Sequence, residues 1–272
     1  MESPSPAVED LVAALRGGDQ DAQNALDRLA HLPGLTARRF LEQSGPLREA
    51  VVTRLAHPHR TWQRRAAGVV VVLARVSPAL ESRLTAALRS DDGRLRWGAA
   101  WTLGQLDEPP ALLWLAVREA MSLPDGDQRW AAARLACALA GHHPEIAAAL
   151  GEAASTGTPV LKRMALYCVR DLDAAQARPL ARAAIADSDA GVRLAALAVL
   201  GRAADPSDAR SLLPLLDNDP DEGVRRAAAA TLGRLGPPSE ETRTSLLRAM
   251  NATDPSLRRA ARAALARPAE GE

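Results

Sequence analysis

The chain has 272 residues and a formal net charge of +1, from 34 basic and 33 acidic residues. This balance argues against a protein whose whole surface binds nucleic acid, although it leaves room for a local basic surface. Apolar residues make up 47% of the chain and aromatic residues only 3%. The abundant alanine therefore favours closely packed helices, and each aromatic side chain is a candidate for a specific role.

No segment of the chain has the features of a membrane anchor or a secretion signal. The densest apolar run covers residues 69–74, far short of the roughly 18 residues that a membrane span needs. The first residues lack the basic and then apolar pattern of a signal peptide. We therefore expect a cytoplasmic protein without a membrane partner.

The first part of the chain predicts short helices in an atypical arrangement. Val8–Arg16 and Asp21–Leu32 have the apolar spacing of amphipathic helices, and Leu35–Gln43 predicts an extra helix. Terminal units of a repeat array are often atypical because they cover its exposed apolar end. We therefore expect this part of the chain to be a cap.

Pairs of helices, named A and B in chain order, are predicted from residue 47 onward. The first helix A begins in Leu47–Ala56, and its helix B is expected after Thr61, with Arg65 or alternatively Arg64 at the position of a repeated basic residue. The later A helices are predicted from apolar runs at Leu80–Leu88, Leu112–Val117, Ile146–Leu150, Leu180–Ile185, Leu212–Leu216 and Leu246–Met250.

A short pattern recurs at the start of each later B helix. Asp189–Leu200 reads DAGVRLAALAVL, and related copies begin at Asp92, Asp125, Thr158, Asp221 and Asp254. Asp and Thr at a helix start accept hydrogen bonds from free backbone amides. The fifth residue of each copy is basic and recurs every 31 to 33 residues, at Arg96, Arg129, Lys162, Arg193, Arg225 and Arg258.

A fixed period of this length is typical of stacked helical repeats. The sequence therefore predicts an all-α fold, a right-handed α-solenoid of about eight helix–turn–helix units, each packed on its neighbours. We divide the chain into an N-terminal cap, the repeat array and a frayed tail, with bounds at 1–44, 45–267 and 268–272.

The pattern Asp-x-x-Val-Arg-x-x-Ala-x-x-x-Leu resembles the short HEAT-like repeats of phycobilin lyases and other bacterial proteins. The resemblance implies a helical scaffold over most of the array. It does not fix an activity, because such repeats serve as scaffolds, chromophore lyases, DNA glycosylases and metal hydroxylases. The His-Glu pairs of the di-iron hydroxylases do not occur in this sequence.

The repeated basic residues could bind an anion, but pairing with carboxylates of neighbouring turns explains their period without a ligand. We therefore interpret them, together with the acidic residues that begin the copies, as a structural ladder. Its predicted members are Asp92, Arg96, Asp125, Arg129, Lys162, Asp189, Arg193, Asp221, Arg225, Asp254 and Arg258.

A second set of positions, one and five residues after the repeated base, lies on one helix face. In three successive units these positions hold Trp97 and Trp101, Trp130 and Arg134, and Arg163 and Tyr167. The resemblance implies that B helices line the concave surface, and Trp and Arg are enriched in binding hot spots. This Trp/Arg stripe is the predicted binding surface; the alternative is that its Trp rings fill gaps between repeats.

The leading functional hypothesis is a protein-binding scaffold or adaptor rather than an enzyme. The sequence has no phosphate-binding glycine loop and no H-E-x-x-H motif. The His pairs at 57 and 59 and at 142 and 143 lie in turns of opposite kind, so we expect no metal and no other cofactor. Cys137 and Cys168 are expected to be free thiols within B helices.

Two alternatives stay open. A DNA-binding protein similar to HEAT-like glycosylases would need a catalytic carboxylate near the stripe, and Asp171 is the nearest by register. A bilin lyase or chromophore chaperone rests on the resemblance alone. Another protein is the expected partner, nucleic acid is not favoured, and the sequence leaves the oligomeric state open.

Overall fold

The computed structural model describes residues 6–266, and all its regular elements in this range are helices. The predicted all-α class of helical repeats is therefore confirmed. Three short 3-10 helices supplement the α-helices, at Arg54–Ala56, Ala111–Leu113 and Pro206–Asp208. The predicted tail, 268–272, lies outside the described residues.

The chain forms two compact units, Met1–Ala120 and Met121–Glu272. In the first unit the α-helices are α1 (Pro6–Arg16), α2 (Asp19–His31), α3 (Gly34–Gln43), α4 (Gly45–Thr53), α5 (Arg60–Val76), α6 (Pro78–Ala87), α7 (Gly93–Leu103) and α8 (Trp114–Ala120). In the second they are α9 (Gly126–His142), α10 (Pro144–Thr156), α11 (Pro159–Asp173), α12 (Arg178–Ala184), α13 (Ala190–Ala203), α14 (Ala209–Asn218), α15 (Glu222–Leu232), α16 (Glu240–Ala249) and α17 (Pro255–Leu265).

Helices of the first unit stack in two rows. One row runs through α1, α4 and α6, and the other runs through α2, α5 and α7. The extra helix predicted over Leu35–Gln43 is α3, which contacts α4, α5 and α6. The N-terminal part of the chain is therefore packed as part of the same layered arrangement.

The second unit repeats the same pairing of an A helix with the B helix that follows it. Its consecutive B helices contact one another, from α9 through α11, α13 and α15 to α17. Alanine makes this close stacking feasible because it has no side chain beyond Cβ. Three residues after the repeated base, each of the six copies has an alanine without exposed surface: Ala99, Ala132, Ala165, Ala196, Ala228 and Ala261.

The capping residues predicted at the starts of the B helices all cap those helices. The side chains of Asp189 and Asp221, for example, accept hydrogen bonds from the backbone amides of Val192 and Val224. The same role falls to Asp92, Asp125, Thr158 and Asp254. Each cap satisfies a backbone donor that a helix start leaves free.

The first B helix has a different register from the predicted one. Helix α5 begins at Arg60 rather than after Thr61, with His59 as its N-cap. In the other copies the repeated base lies four residues after the cap, and in α5 this position holds Gln63. The predicted residues, Arg65 and Arg64, were therefore both wrong. The Gln63 side-chain amide donates to the carbonyl oxygens of Leu55 and Arg94. An amide thus replaces the guanidinium as the donor to backbone carbonyls.

Candidate functional site

The repeated arginines first serve the turn that precedes their own helix. Nη1 of Arg193 donates to the carbonyl oxygens of Asp187 and Ser188, at 2.9 and 3.1 Å. The other four arginines donate to the equivalent pairs of carbonyl oxygens, five and six residues before them in the chain. These arginines are Arg96, Arg129, Arg225 and Arg258. The repeated base therefore closes the turn between helix A and helix B.

In Arg96, Lys162 and Arg193 the basic side chain also reaches a carboxylate of the following pair. Nε and Nη2 of Arg193 donate to both carboxylate oxygens of Asp219, at 2.8 and 2.7 Å, in a bidentate pair that is buried. These hydrogen bonds raise the pKa of Arg193. Lys162 binds Asp187 at 2.8 Å and holds the pKa of that carboxyl below its usual value.

The carboxylates in these pairs differ from the predicted ones. Asp187 and Asp219 lie two residues before the caps Asp189 and Asp221, which bond their own helices instead. Arg96 pairs with Glu119, at the end of α8. The caps Asp189 and Asp221 are engaged by backbone amides, and a separate acid two residues earlier, Asp187 or Asp219, pairs with the repeated base of the preceding B helix.

The ladder has a gap at Arg129. Its Nε is buried and has no hydrogen-bond partner within the described residues. Two residues before the next cap, where two later repeats hold Asp187 and Asp219, the residue is Thr156, and its hydroxyl donates to the backbone carbonyl oxygen of Glu152. Arg129 therefore keeps its turn-closing bonds to Leu123 and Pro124 but lacks the bridging carboxylate.

The part of the Trp/Arg stripe in the first unit is half-buried. The rings of Trp97 and Trp101 lie 5.8 Å apart and are tilted by 42°. Both side chains keep some exposed surface. Between them, Gly98 packs against the backbone of Leu55, since a Cβ atom at this glycine would lie 2.5 Å from the Leu55 carbonyl oxygen.

The part of the stripe in the second unit is more open. The rings of Trp130 and Tyr167 stack with centroids 5.3 Å apart at 28°, and Trp130 is 45% exposed. Arg134 follows one turn after Trp130 and is exposed. Trp130, Tyr167 and Arg134 thus form a surface on neighbouring helices α9 and α11, as the register predicted, with the indole facing solvent.

Arg170, rather than the predicted Arg163, is the arginine that contacts this aromatic pair. Nη1 of Arg163 lies 3.1 Å from the point where Gly191 would carry a Cβ, so the side chain extends toward the start of α13. Arg170 instead lies over the Tyr167 ring, 5.2 Å from its centroid, in a cation–π contact. Its position one turn after Tyr167 on α11 is the sequence signal that could have found it.

Asp171 and the two cysteines lie close to this surface. Asp171 is exposed and accepts a hydrogen bond from Nε of Arg170 at 2.7 Å. Cys137 and Cys168 are free thiols on α9 and α11. The hydrogen bond between the two cysteines and the burial of Cys168 both raise the pKa of Cys168. The same hydrogen bond lowers the pKa of Cys137.

The described part of the chain, residues 6–266, shows neither a candidate metal cluster nor a candidate membrane span. Residues 6–266 contain no group of three or more His, Cys, Asp or Glu side chains that could hold a metal ion. Within the same residues, no helix combines the length and the apolar character needed to cross a membrane.

Comparison with known families and structures identifies the repeat type. The family model for HEAT repeats matches residues 147–232 and 177–266. No curated protein sequence matches the chain. Both matched segments lie within the second unit.

Several solved structures share the fold at low sequence identity. Kap95p, from a structure that describes its binding to RanGDP, superposes with a TM-score of 0.59 at 13% identity, over 95% of this chain and 40% of that one. Importin beta gives 0.54 at 15% identity, over 94% and 40%. Kap121p gives 0.51 at 11% identity, over 95% and 37%. The chain thus spans 40% or less of these proteins, and the likeness shows the fold alone.

Proposed function

We propose that the protein, whose residues 147–266 match the family model for HEAT repeats, is a scaffold or adaptor that binds another protein through its B helices. The observation that carries this proposal is the exposed, stacked pair of Trp130 and Tyr167. Kap95p, a structural neighbour, is described as binding RanGDP, which is consistent with protein recognition by this fold.

The aromatic pair has the features of a binding hot spot. Trp, Tyr and Arg are enriched among the residues whose truncation costs most in protein interfaces. The two rings already stack on each other, and Arg170 lies over Tyr167. Ordering these side chains on binding therefore costs little conformational entropy, which favours affinity.

Packing alone does not explain the exposure of this indole. A Trp that only filled the space between repeats would be covered by its neighbours, as apolar residues of the described core are. Trp130 keeps 45% of its surface exposed on a helix whose opposite positions are buried. Trp97 and Trp101, in the first unit, are more covered.

The test is partner capture by a Trp130→Ala/Tyr167→Ala variant. We expect its affinity for proteins retained by the wild-type chain to fall by about 30-fold or more, because hot-spot truncations cost at least ~2 kcal/mol. Retention from an extract of the source cell is quantified by mass spectrometry, and affinity is then measured on the purified partner.

A matched control is Arg243→Ala/Leu247→Ala, which truncates two exposed side chains of helix α16. This variant should bind as the wild type does. The proposal fails if the aromatic variant retains full affinity. It also fails if that variant melts so early that loss of folding accounts for the loss of binding, since the rings would then be packing residues.

A further inference from the structure

The thiols of Cys137 and Cys168 meet in the contact between helices α9 and α11. Sγ of Cys137 lies 3.9 Å from the carbonyl oxygen of Cys168, and Sγ of Cys168 lies 3.5 Å from the carbonyl oxygen of Ala133. Each sulfur atom therefore reaches the backbone of the other helix, and a hydrogen bond joins the two thiols. The two cysteines are neighbours in the fold although 31 residues separate them along the chain.

The spacing of the two helices suits a disulfide bond. Packed helix axes are usually about 8–10 Å apart, and Cα atoms lie about 2.3 Å from the axis, so facing Cα atoms are separated by roughly 3–6 Å. A disulfide needs Cα atoms about 4.4–6.8 Å apart. Because the sulfur of Cys137 contacts the carbonyl group of Cys168 itself, these two residues face each other across the contact.

The two thiols differ in exposure and in acidity. Cys168 is buried, whereas Cys137 is half-buried. The S–H group of Cys168 donates to the sulfur of Cys137 and lowers its pKa; Arg170 acts in the same direction, against the opposing effects of burial and Asp171. The thiolate is the nucleophilic form of cysteine. An oxidant therefore meets Cys137 first, and Cys168 lies behind it.

We propose that Cys137 and Cys168 are a redox-reactive pair, in which a hydroperoxide oxidises Cys137 and Cys168 then closes a disulfide between α9 and α11. This inference does not rest on the proposed function, since the reaction needs no partner protein. It goes beyond the packing role of a buried thiol, because it assigns a separate task to each cysteine.

The reaction proceeds in two steps when the oxidant is hydrogen peroxide. The Cys137 thiolate attacks one peroxide oxygen, the O–O bond breaks, and a sulfenic acid and a hydroxide ion form. The sulfur of Cys168 then attacks Sγ of the sulfenic acid, the S–O bond breaks, and the leaving hydroxide takes up the proton of Cys168 as water. The two sulfur atoms together lose two electrons, and the peroxide is reduced to two water molecules.

A metal site is a weaker interpretation of the same pair. Structural zinc sites take four ligands from Cys, His or carboxylate side chains. Within residues 6–266, no group of three such side chains lies together. The pair therefore offers a metal too few ligands, whereas a disulfide needs only the two sulfur atoms.

The test treats the folded wild-type chain with hydrogen peroxide and follows its intact mass. We expect the mass to fall by two hydrogen atoms, a digest without reductant to contain linked peptides with Cys137 and Cys168, and dithiothreitol to restore both thiols. Oxidised methionine gains an oxygen atom instead, so the two reactions are distinguishable. The oxidised chain should melt about 5 °C or more above the reduced one, because the crosslink restricts the unfolded chain.

Two matched serine variants test the separate tasks of the thiols. In Cys168→Ser, oxidation should stop at the sulfenic acid of Cys137, which the reagent dimedone labels. In Cys137→Ser, the buried Cys168 should be labelled at least about tenfold more slowly, since buried thiols in apolar surroundings are inert. Circular dichroism checks that both variants are folded, and the wild-type measurement needs no variant.

Three results would overturn the inference. The wild-type chain could keep both thiol hydrogens, or gain only oxygen atoms, after treatment with peroxide. Its disulfides could form only between separate chains, as gel electrophoresis without reductant would show. The two serine variants could be labelled at equal rates, which would contradict the assignment of Cys137 as the thiol that reacts first.

Discussion

Replacing Asp219 by Ala is expected to lower the free energy of unfolding by about 3–5 kcal/mol, the usual cost of removing one partner of a buried ion pair. Asp219 and Arg193 are each 8% exposed, and both carboxylate oxygens receive hydrogen bonds from the guanidinium. Without the carboxylate, Arg193 keeps its charge in a place with little water. The cost is therefore larger than the small value of an exposed salt bridge.

Asp221→Ala is the matched control for this loss, two residues further along the same turn. It removes the cap of α15, a bond from Val224 to the side chain, and should cost only ~1 kcal/mol. Chemical denaturation followed by circular dichroism measures both values. Equal costs for the two substitutions would contradict the distinction between the bridging carboxylate and the capping one.

Replacing Gly98 by Ala is the second substitution with a large expected effect. A Cβ atom there would lie 2.5 Å from the carbonyl oxygen and 2.7 Å from the Cβ of Leu55. Leu55 has no exposed surface, and its backbone cannot yield as a flexible side chain would. Helix α7 must then move away from the 3-10 segment, and overpacking of this kind costs about 1–3 kcal/mol or more.

Gly68→Ala supplies the control with the opposite sign. Gly68 also lies inside a helix, α5, but no atom stands within 4 Å of the point where its Cβ would be. The substitution should raise the free energy of unfolding by about 0.5–1 kcal/mol, because alanine favours the helix more than glycine does. Thermal melting of the two variants checks the pair, and a stabilising Gly98→Ala would contradict the close packing of α7.

The repeat and its helix starts could be read from the sequence because the residues responsible are local. A cap such as Asp189 bonds an amide three residues away, and the period of the bases follows directly from the spacing of the copies. The first B helix was misassigned because its cap is His59 and its repeated position is Gln63. Neither residue type belongs to the pattern, so the pattern favours the neighbouring Arg65 or Arg64 as the repeated base.

Contacts between repeats were harder to predict than the repeats themselves. The partner of Arg193 is Asp219 rather than Asp221, because the path of the turn decides which of two nearby acids faces the guanidinium. The same limit applies to the stripe: the register places Trp130 and Tyr167 together, but rotamers decide that Arg170 rather than Arg163 reaches the ring. These choices depend on side-chain directions that spacing does not contain.

Site-specific photo-crosslinking tests most directly whether the B helices of the second unit bind the partner. A photoreactive residue replaces Arg134, exposed one turn after Trp130, in one variant and Leu247, exposed on α16, in another. Irradiation with the captured partner should yield a crosslinked product from position 134 and none from position 247. Crosslinking from position 247 alone, or with equal yield from both positions, would contradict the assignment of the binding surface.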